Sequence, residues 1–456
     1  MPRLLLLMTT TTYRANAFLE AARRLDVPVV VGSERAQALA AANPAGHLTL
    51  DFLAPEVALR QIVAFANEYP ISAIIAADDE GVIPAAMASA ALGLPYNPVE
   101  AVAAARNKYR MRQILAKAGL SSPVFTRISI DADPLDAASQ LSFPCVVKPL
   151  ALSASRGVIR ADDPAQFVAA FRRIVAILRQ REVAMAGAGL TRELLVERFI
   201  PGIEVALEGL LSNGRLQVLA LFDKPDPLDG PFFEETIYVT PSRLPLSVQD
   251  AIATCTAKVA TALGLREGPV HVELRVNAQG PWMLEIAPRS IGGLCSRTLR
   301  FGDGITLEEL ILRHALGLGV EGCERERQAA GVMMIPIPRA GILRDVSGQE
   351  EARRVAGIED IRLTIPLGQE LIPLPEGSKY LGFIFAREET PHGVEAALRE
   401  AHRRLRFTIA PRQEASGEPT GFPTAASPAD PLRLVAQRTD FAPTRTFPIR
   451  AGRSGG

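Results

Sequence analysis

The chain has 456 residues, 48% of them hydrophobic and 22% charged. That is ordinary globular usage; it excludes wholesale disorder and, at about 150 residues per domain, allows about three domains. Lys+Arg and Asp+Glu both number 50, so the formal net charge is zero, which leaves no electrostatic footprint for nucleic acid or an anionic membrane.

Leu4–Met8 is a short apolar run. It is too short for a signal-peptide core or a membrane span and reads as a buried first strand. Asn16–Leu25 has helical spacing, Val27–Val31 is a β-branched strand, Val57–Tyr69 a helix, Ile71–Ala76 a strand, and Val82–Leu92 a helix ending at Gly93. This alternation predicts an α/β fold opening on a doubly wound, Rossmann-like parallel sheet. The turn TTTTYRAN after the first strand has no GxGxxG, so no dinucleotide is implied.

Pro95 and Pro98 mark a boundary, after which Glu100–Gly119 reads as one helix stopped by glycine. Strands are predicted at Val124–Ile128, Pro144–Lys148, Leu194–Phe199, Glu204–Ser212 and Arg215–Asp223, with a helix at Pro164–Arg179. Asn213-Gly214 between two apolar runs is a two-residue hairpin signal. Val248–Leu263 is a helix, Val270–Val276 and Pro281–Ile286 form a second hairpin around Asn277–Gly280, and Leu307–Leu316 is helical. A smaller α/β unit follows, with strands at Gly331–Pro336, Gly341–Val346, Ile358–Leu363 and Lys379–Ala386 and a helix at Val394–Leu405. From about Arg412 the composition turns to Pro, Ala, Ser, Thr and Gly, which reads as a mobile tail. Cys145, Cys255, Cys295 and Cys323 are far apart and form no CxxC, which argues for free thiols in a reducing, cytoplasmic setting.

Four features in order carry chemistry. Lys108 lies on a helix, where a lysine is usually a solvated charge. Lys148 ends the apolar strand FPCVVKP, and the loop after it holds Ala151, Ser153, Ala154, Ser155 and Gly157, leading into Val158. Small residues let backbone N–H groups approach phosphate oxygens; the plain alternative is an ordinary strand exit. In LLVERFIPGIEVALEGL, Glu197, Arg198, Phe199 and Ile200 precede a Pro-Gly turn and Glu204. Main-chain groups there suit an adenine edge and the carboxylate suits ribose hydroxyls, against two surface carboxylates flanking a turn. In GPVHVELRV and PWMLEIAPRSIGG, Glu273 and Glu285 fall opposite or nearly opposite each other across the hairpin. Two carboxylates so placed repel and are costly to desolvate, a penalty that a shared Mg²⁺ or Mn²⁺ removes. His271 shares the strand face of Glu273, and Arg289 follows Glu285 by four.

Together these residues resemble the ATP-grasp domain over about Glu100 to Leu316. The stretch DKPDPLDGPFFEETIYVTPSRLP and the C-terminal unit resemble the carboxylate–amine ligases related to bacterial L-amino-acid ligases. The resemblance implies an α+β ATP-grasp part: an N-terminal domain over 1–98, linker helices and a small lid subdomain over 99–190, a large subdomain with the metal site over 191–325, a C-terminal α/β domain over 326–410, and a tail over 411–456. It implies ATP phosphates on Lys108 and Lys148, a lid at Ser153–Val158, adenine at Glu197–Ile200, ribose at Glu204, and Mg²⁺ on Glu273 and Glu285. Arg289 would face the γ-phosphate and an acyl phosphate. Lys148, His271 and Arg289 are the catalytic candidates. Lys224, Glu234, Glu235, Arg289, Ser290, Gly292 and Gly293 are the substrate candidates. The activity implied is amide formation between a small carboxylate and a small amine, with a homodimer expected from the family. Alternatives on the same scaffold are a carboxylase or purine-pathway ligase, or a non-catalytic nucleotide-binding protein. The last draws on Ala287, which stands where the family often has an asparagine ligand.

Overall fold

The computed structural model describes residues 3–35, 46–150, 152–186, 189–320 and 322–412. The predicted tail lies outside them from Gln413 onward, as does Ala151. The chain opens with β1 (Leu4–Leu7), α1 (Ala15–Arg24), β2 (Val29–Ser33), β3 (His47–Thr49), α2 (Pro55–Glu68), β4 (Ala73–Ala76) and α3 (Val82–Leu92). The strands form a parallel sheet in the order β3-β2-β1-β4. All four leucines of β1 are fully buried, because a central strand of a doubly wound sheet is covered on both faces.

The single helix expected over Glu100–Gly119 is two: α4 (Val99–Arg106) and α5 (Lys108–Lys117). Asn107 leaves the helical region and its side chain accepts from Arg110 N–H at 3.1 Å, so it caps α5 instead of continuing α4. The cap makes Lys108 the first residue of a helix.

Next come β5 (Phe125–Ser129), α6 (Pro134–Ser139), β6 (Cys145–Pro149), β7 (Ile159–Ala161), α7 (Pro164–Leu178), α8 (Arg181–Ala186) and β8 (Glu193–Arg198). The strands make an antiparallel sheet in the order β5-β8-β6-β7. β7 and the two short helices escape sequence reading because none is long enough to display a period.

Then follow β9 (Ile203–Ser212), β10 (Arg215–Asp223), β11 (Ile237–Thr240), α9 (Leu246–Leu263), β12 (Gly268–Asn277), β13 (Gly280–Ala287), β14 (Arg300–Phe301), β15 (Ile305–Thr306) and α10 (Leu307–Ala315). The last part holds β16 (Ala329–Ile335), β17 (Gly341–Ser347), α11 (Gln349–Arg353), β18 (Ile358–Leu363), β19 (Glu370–Leu371), β20 (Gly382–Glu388), α12 (Pro391–Arg404) and β21 (Arg406–Ala410). One antiparallel sheet runs β13-β12-β9-β10-β11-β16-β20-β18. The C-terminal strands β16, β20 and β18 therefore extend the central sheet, and only β19, β17 and β21 form a separate one. At the β9–β10 turn, Asn213 and Gly214 both take positive φ, 51° and 79°, as the two-residue hairpin signal requires.

Alternation along β9 builds two cores. Val205, Leu207 and Leu211 pack with α9, whereas Ala206 and Leu210 join α10 and residues of the N-terminal sheet. Polar bolts fasten that sheet to the loop after β13. Arg14, 2% exposed, reaches Ala77 O at 2.8 Å and Ser290 Oγ at 2.5 Å. Asp79, just after β4, takes Arg289 at 2.7 Å and Arg106 at 3.1 Å. Burial alone would raise the Asp79 pKa, but Arg289 and Arg106 hold it well below the usual carboxylate range.

Two outcomes follow. Asn107→Ala should cost about 1 kcal/mol in urea unfolding with an unchanged slope. Asp79→Asn strands two half-buried guanidinium groups and should cost about 3 kcal/mol at pH 7. A depressed native pKa adds stability above the unfolded pKa and loses it as pH falls. The penalty of Asp79→Asn should therefore shrink on acidification below about pH 4, read from unfolding curves at stepped pH.

Candidate active site

A cavity of about 340 Å³ lies where the lid sheet, the central sheet, the N-terminal sheet and the C-terminal strands meet. Lys108, Lys148, Ser153, Ser155, Val158, Glu197, Arg198, Phe199, Ile200, Glu204, Glu235, His271, Glu273, Glu285, Arg289, Gly292 and Gly293 all line it. Residues spread over nearly two hundred positions thus converge as the sequence order suggested.

At the lysine end, Lys108 Nζ lies 3.0 Å from Leu152 O and 3.1 Å from Glu285 Oε1. Lys148 Nζ lies 2.5 Å from Glu197 Oε2. Desolvation holds the Lys148 pKa below its usual value, a shift that the Glu197 charge offsets only in part. The Glu197 side chain is buried between Lys148 and Arg112, whose Nε is 2.6 Å away, so only its main chain is left for an adenine edge. Gly157 does not line the cavity: its N–H donates to Pro375 O at 2.9 Å. Glycine is required there, since φ is +73° and a Cβ would meet Pro149 Cγ at 2.9 Å. The lid is further tied to the C-terminal segment by a two-armed Arg173–Glu376 pair, at 2.5 and 2.9 Å, and by Arg156 Nε on Glu376 O at 2.8 Å.

At the carboxylate end, Glu273 and Glu285 are register partners. Lys224, predicted to touch substrate, is instead buried among carboxylates: Glu204 at 2.9 Å, Glu235 in direct contact, and Glu273 at 3.6 Å. Glu204 also receives Arg275 Nε at 3.1 Å. Glu204, Glu235 and Glu273 hold oxygens within 4.8 Å of one another, and the Lys224 ammonium supplies their counter-charge. The Glu273–Glu285 pair is left as an all-oxygen donor set facing the cavity, which fits a hard divalent cation. Ala287 offers no side-chain ligand.

His271 Nδ1 lies 2.5 Å from the fully buried Glu208, and Nε2 3.6 Å from Glu273. Burial would lower the imidazole pKa, but Glu208 raises it to about 9. At neutral pH His271 is therefore a fixed cation beside Glu273 and has no free lone pair to act as a base.

At the far end, Glu235 lies beside Tyr13, Tyr238, Met334, Tyr380 and Phe383. Tyr13 and Tyr380 meet Phe383 edge-on at 5.7 and 6.1 Å. Burial pushes Glu235 up to about 7, restrained by Lys224. Besides Lys224, two predicted substrate residues are not brought in. Glu234 is off the cavity wall, and the Ser290 hydroxyl is taken by Arg14. Sequence reading missed Asp79 and Glu80 of the DDEG turn, both on the wall, and Arg275, which holds Glu204. An acidic cluster directly after the AIIAA strand, and a largely buried arginine two residues after Glu273 on the same strand face, were the available signals.

Family models match in three places: ATP-grasp N-terminal domain over residues 19–96, ATP-grasp domain over 141–298, and L-amino acid ligase C-terminal domain 2 over 333–410. A solved L-amino acid ligase from Bacillus licheniformis superposes with a TM-score of 0.74 at 27% identity, covering 90% of this chain and 99% of that one. Dapdiamide A synthase of Enterobacter agglomerans is 29% identical over 312 residues, 64% of this chain and 69% of that protein. Alanine–anticapsin ligase of Bacillus subtilis is 26% identical over 270 residues, and the match spans only 56% of either protein. The order of lysines, hinge and paired carboxylates, the sheet that joins them and these matches agree: the chain carries ATP-grasp domains and is built like a bacterial L-amino acid ligase.

Proposed function

We propose that the protein is an ADP-forming carbon–nitrogen ligase that joins the carboxylate of one small, amino-acid-like substrate to the amine of another, with ATP and Mg²⁺. The observation that carries this is the convergence of Lys108, Lys148 and Arg289 with the paired Glu273 and Glu285 in one cavity. The likeness to a solved L-amino acid ligase supports amino-acid-like substrates.

A carboxylate resists amine attack because it is anionic and would have to expel oxide. Transfer of the ATP γ-phosphoryl group to a carboxylate oxygen breaks the β–γ phosphoanhydride and yields ADP and an acyl phosphate. The amine then attacks the acyl carbon, phosphate leaves with the C–O pair, and the amine gives up a proton. Phosphoryl transfer needs positioning and charge neutralisation more than covalent help. Lys148 and Lys108 supply fixed cations for the phosphates. Arg289 is held by Asp79 and does not swing, so it meets charge developing on the transferred group without reorganisation. Glu273 and Glu285 would hold a divalent ion, which would supply charge neutralisation to the phosphates. Lys224 and then His271 keep Glu273 ionised against its burial, and the lid, tied to Glu376, excludes water from the acyl phosphate. The four free thiols suit a reducing, cytoplasmic setting. Recognition of the acid and the amine falls to Glu235, Glu80 and the aromatic end of the cavity.

One observation favours a second reading: Ala287 removes a side-chain ligand, as in a nucleotide-binding protein without turnover. Amino-acid pairs should release ADP with Mg²⁺ and not without it. ¹⁸O placed in the substrate carboxylate should appear in phosphate. No stimulated ADP release across a broad panel of acids and amines would decide for the binding protein. Glu285→Gln should lower turnover by at least about 100-fold with circular dichroism unchanged; parent-level activity would remove Glu285 from the site.

A further inference from the structure

We infer that Arg112, which touches no ligand site, is a positioning residue that sets Lys148 and Glu285 at once. This rests on the ATP-grasp ligase reading above, and extends it to a residue behind the cavity wall.

The hairpin of β12 and β13 is irregular. From its turn the partners run Asn277↔Gly280, Val276↔Pro281, Arg275↔Trp282 and Leu274↔Met283, and then step to Glu273↔Glu285. Leu284 is the extra residue of a bulge. Strict alternation from the turn would pair Leu284 with Glu273 and send Glu285 to the opposite face, between the fully buried Met283 and Ile286 and their core with α9. Because of the bulge, Leu284 and Glu285 both face the cavity, although they are consecutive. The shared carboxylate pair exists only through this one extra residue.

A bulge leaves ladder groups without partners. Here the Leu284 carbonyl accepts from Arg112 Nη2 at 2.7 Å. The same guanidinium, fully buried, donates through Nε to Glu197 at 2.6 Å, and Glu197 holds Lys148. Arg112 is four residues after Lys108 on α5, so the two lie on one helix face, and Lys108 meets Glu285 directly. One rigid fork thus ties the phosphate lysine to the bulge that aims the metal carboxylate. A compact ammonium cannot span both acceptors. Within the group, Arg112 and Lys148 carry two positive charges against one on Glu197, and Arg112 Nη1 has no hydrogen-bond partner among the described residues. The surplus charge lies beside the place where a triphosphate would sit.

The test uses the full-length protein and a non-hydrolysable ATP analogue, AMP-PNP, titrated calorimetrically at a series of Mg²⁺ concentrations. Arg112→Lys and Arg112→Gln each keep one arm at most. Both should weaken analogue binding and raise the Mg²⁺ concentration for half-maximal binding, each by about tenfold. Glu197→Gln cuts only the arm toward Lys148. It should weaken the analogue while leaving the Mg²⁺ midpoint where it was, which a general loosening of the core would not do. Folded Arg112 variants with the parent's Mg²⁺ midpoint would overturn the inference. So would failure of both variants to fold, since Arg112 would then serve the core alone. If the parent itself shows no Mg²⁺-dependent analogue binding, the ligase reading falls first and takes this inference with it.

Discussion

Glu273 and Glu285 stand opposite each other in one hairpin, and like charges so placed repel. Much of the surrounding structure answers that repulsion. Lys108 reaches Glu285 from a helix start, Lys224 reaches Glu273 from just past the end of β10, two strands away, and His271 is kept cationic beside it by a buried Glu208. The last of these is a chain of compensation: a carboxylate with no solvent access charges an imidazole, which then favours ionisation of a second carboxylate. The zero net charge of the whole chain hides a region in which opposite charges alternate over a few ångströms.

The same logic reaches outward from the pair. Arg289 would be free to collapse onto Glu285 were it not held by Asp79 at 2.7 Å. Asp79 lies in the turn just after β4 of the N-terminal sheet, so a domain that contributes no nucleotide-binding motif still fixes the orientation of the cation assigned to the transferred phosphoryl group. The C-terminal strands contribute in a different currency. They extend the central sheet and bring Met334, Tyr380 and Phe383 to the cavity, giving an apolar end to a site that is otherwise ionic.

Much of this was legible in the sequence where polar residues interrupt apolar strands. Lys148 at the end of CVVKP, Glu197 in LLVERF and the two glutamates of the hairpin announce themselves because nothing in a core calls for them. Asn213-Gly214 was equally readable, because two successive residues with positive φ demand that pair. Three things were not readable, each for its own reason. The break at Asn107 lies inside an unbroken helical pattern and depends on a side chain choosing its own backbone. The partners Asp79 and Phe383 reach the site only by tertiary folding. The bulge at Leu284 is a register event, invisible to a period of two. Lys224 and Gly157 were recognised as special residues but assigned to the wrong contacts, because residue type alone does not say which neighbour arrives first.

Tyr13 and Phe383 touch across the far end of the cavity, although almost the whole described chain separates them. Contacts of such high sequence separation form late, since loop closure must be paid for before they return anything. On a ribosome, the nucleotide half of the site is complete in sequence well before β20 has emerged. Until then the far wall is missing, and an acyl phosphate formed there would stand open to water. Enclosure of the cavity's far end is thus a property of the finished chain, because its wall joins the first domain to a strand near the other end of the described residues.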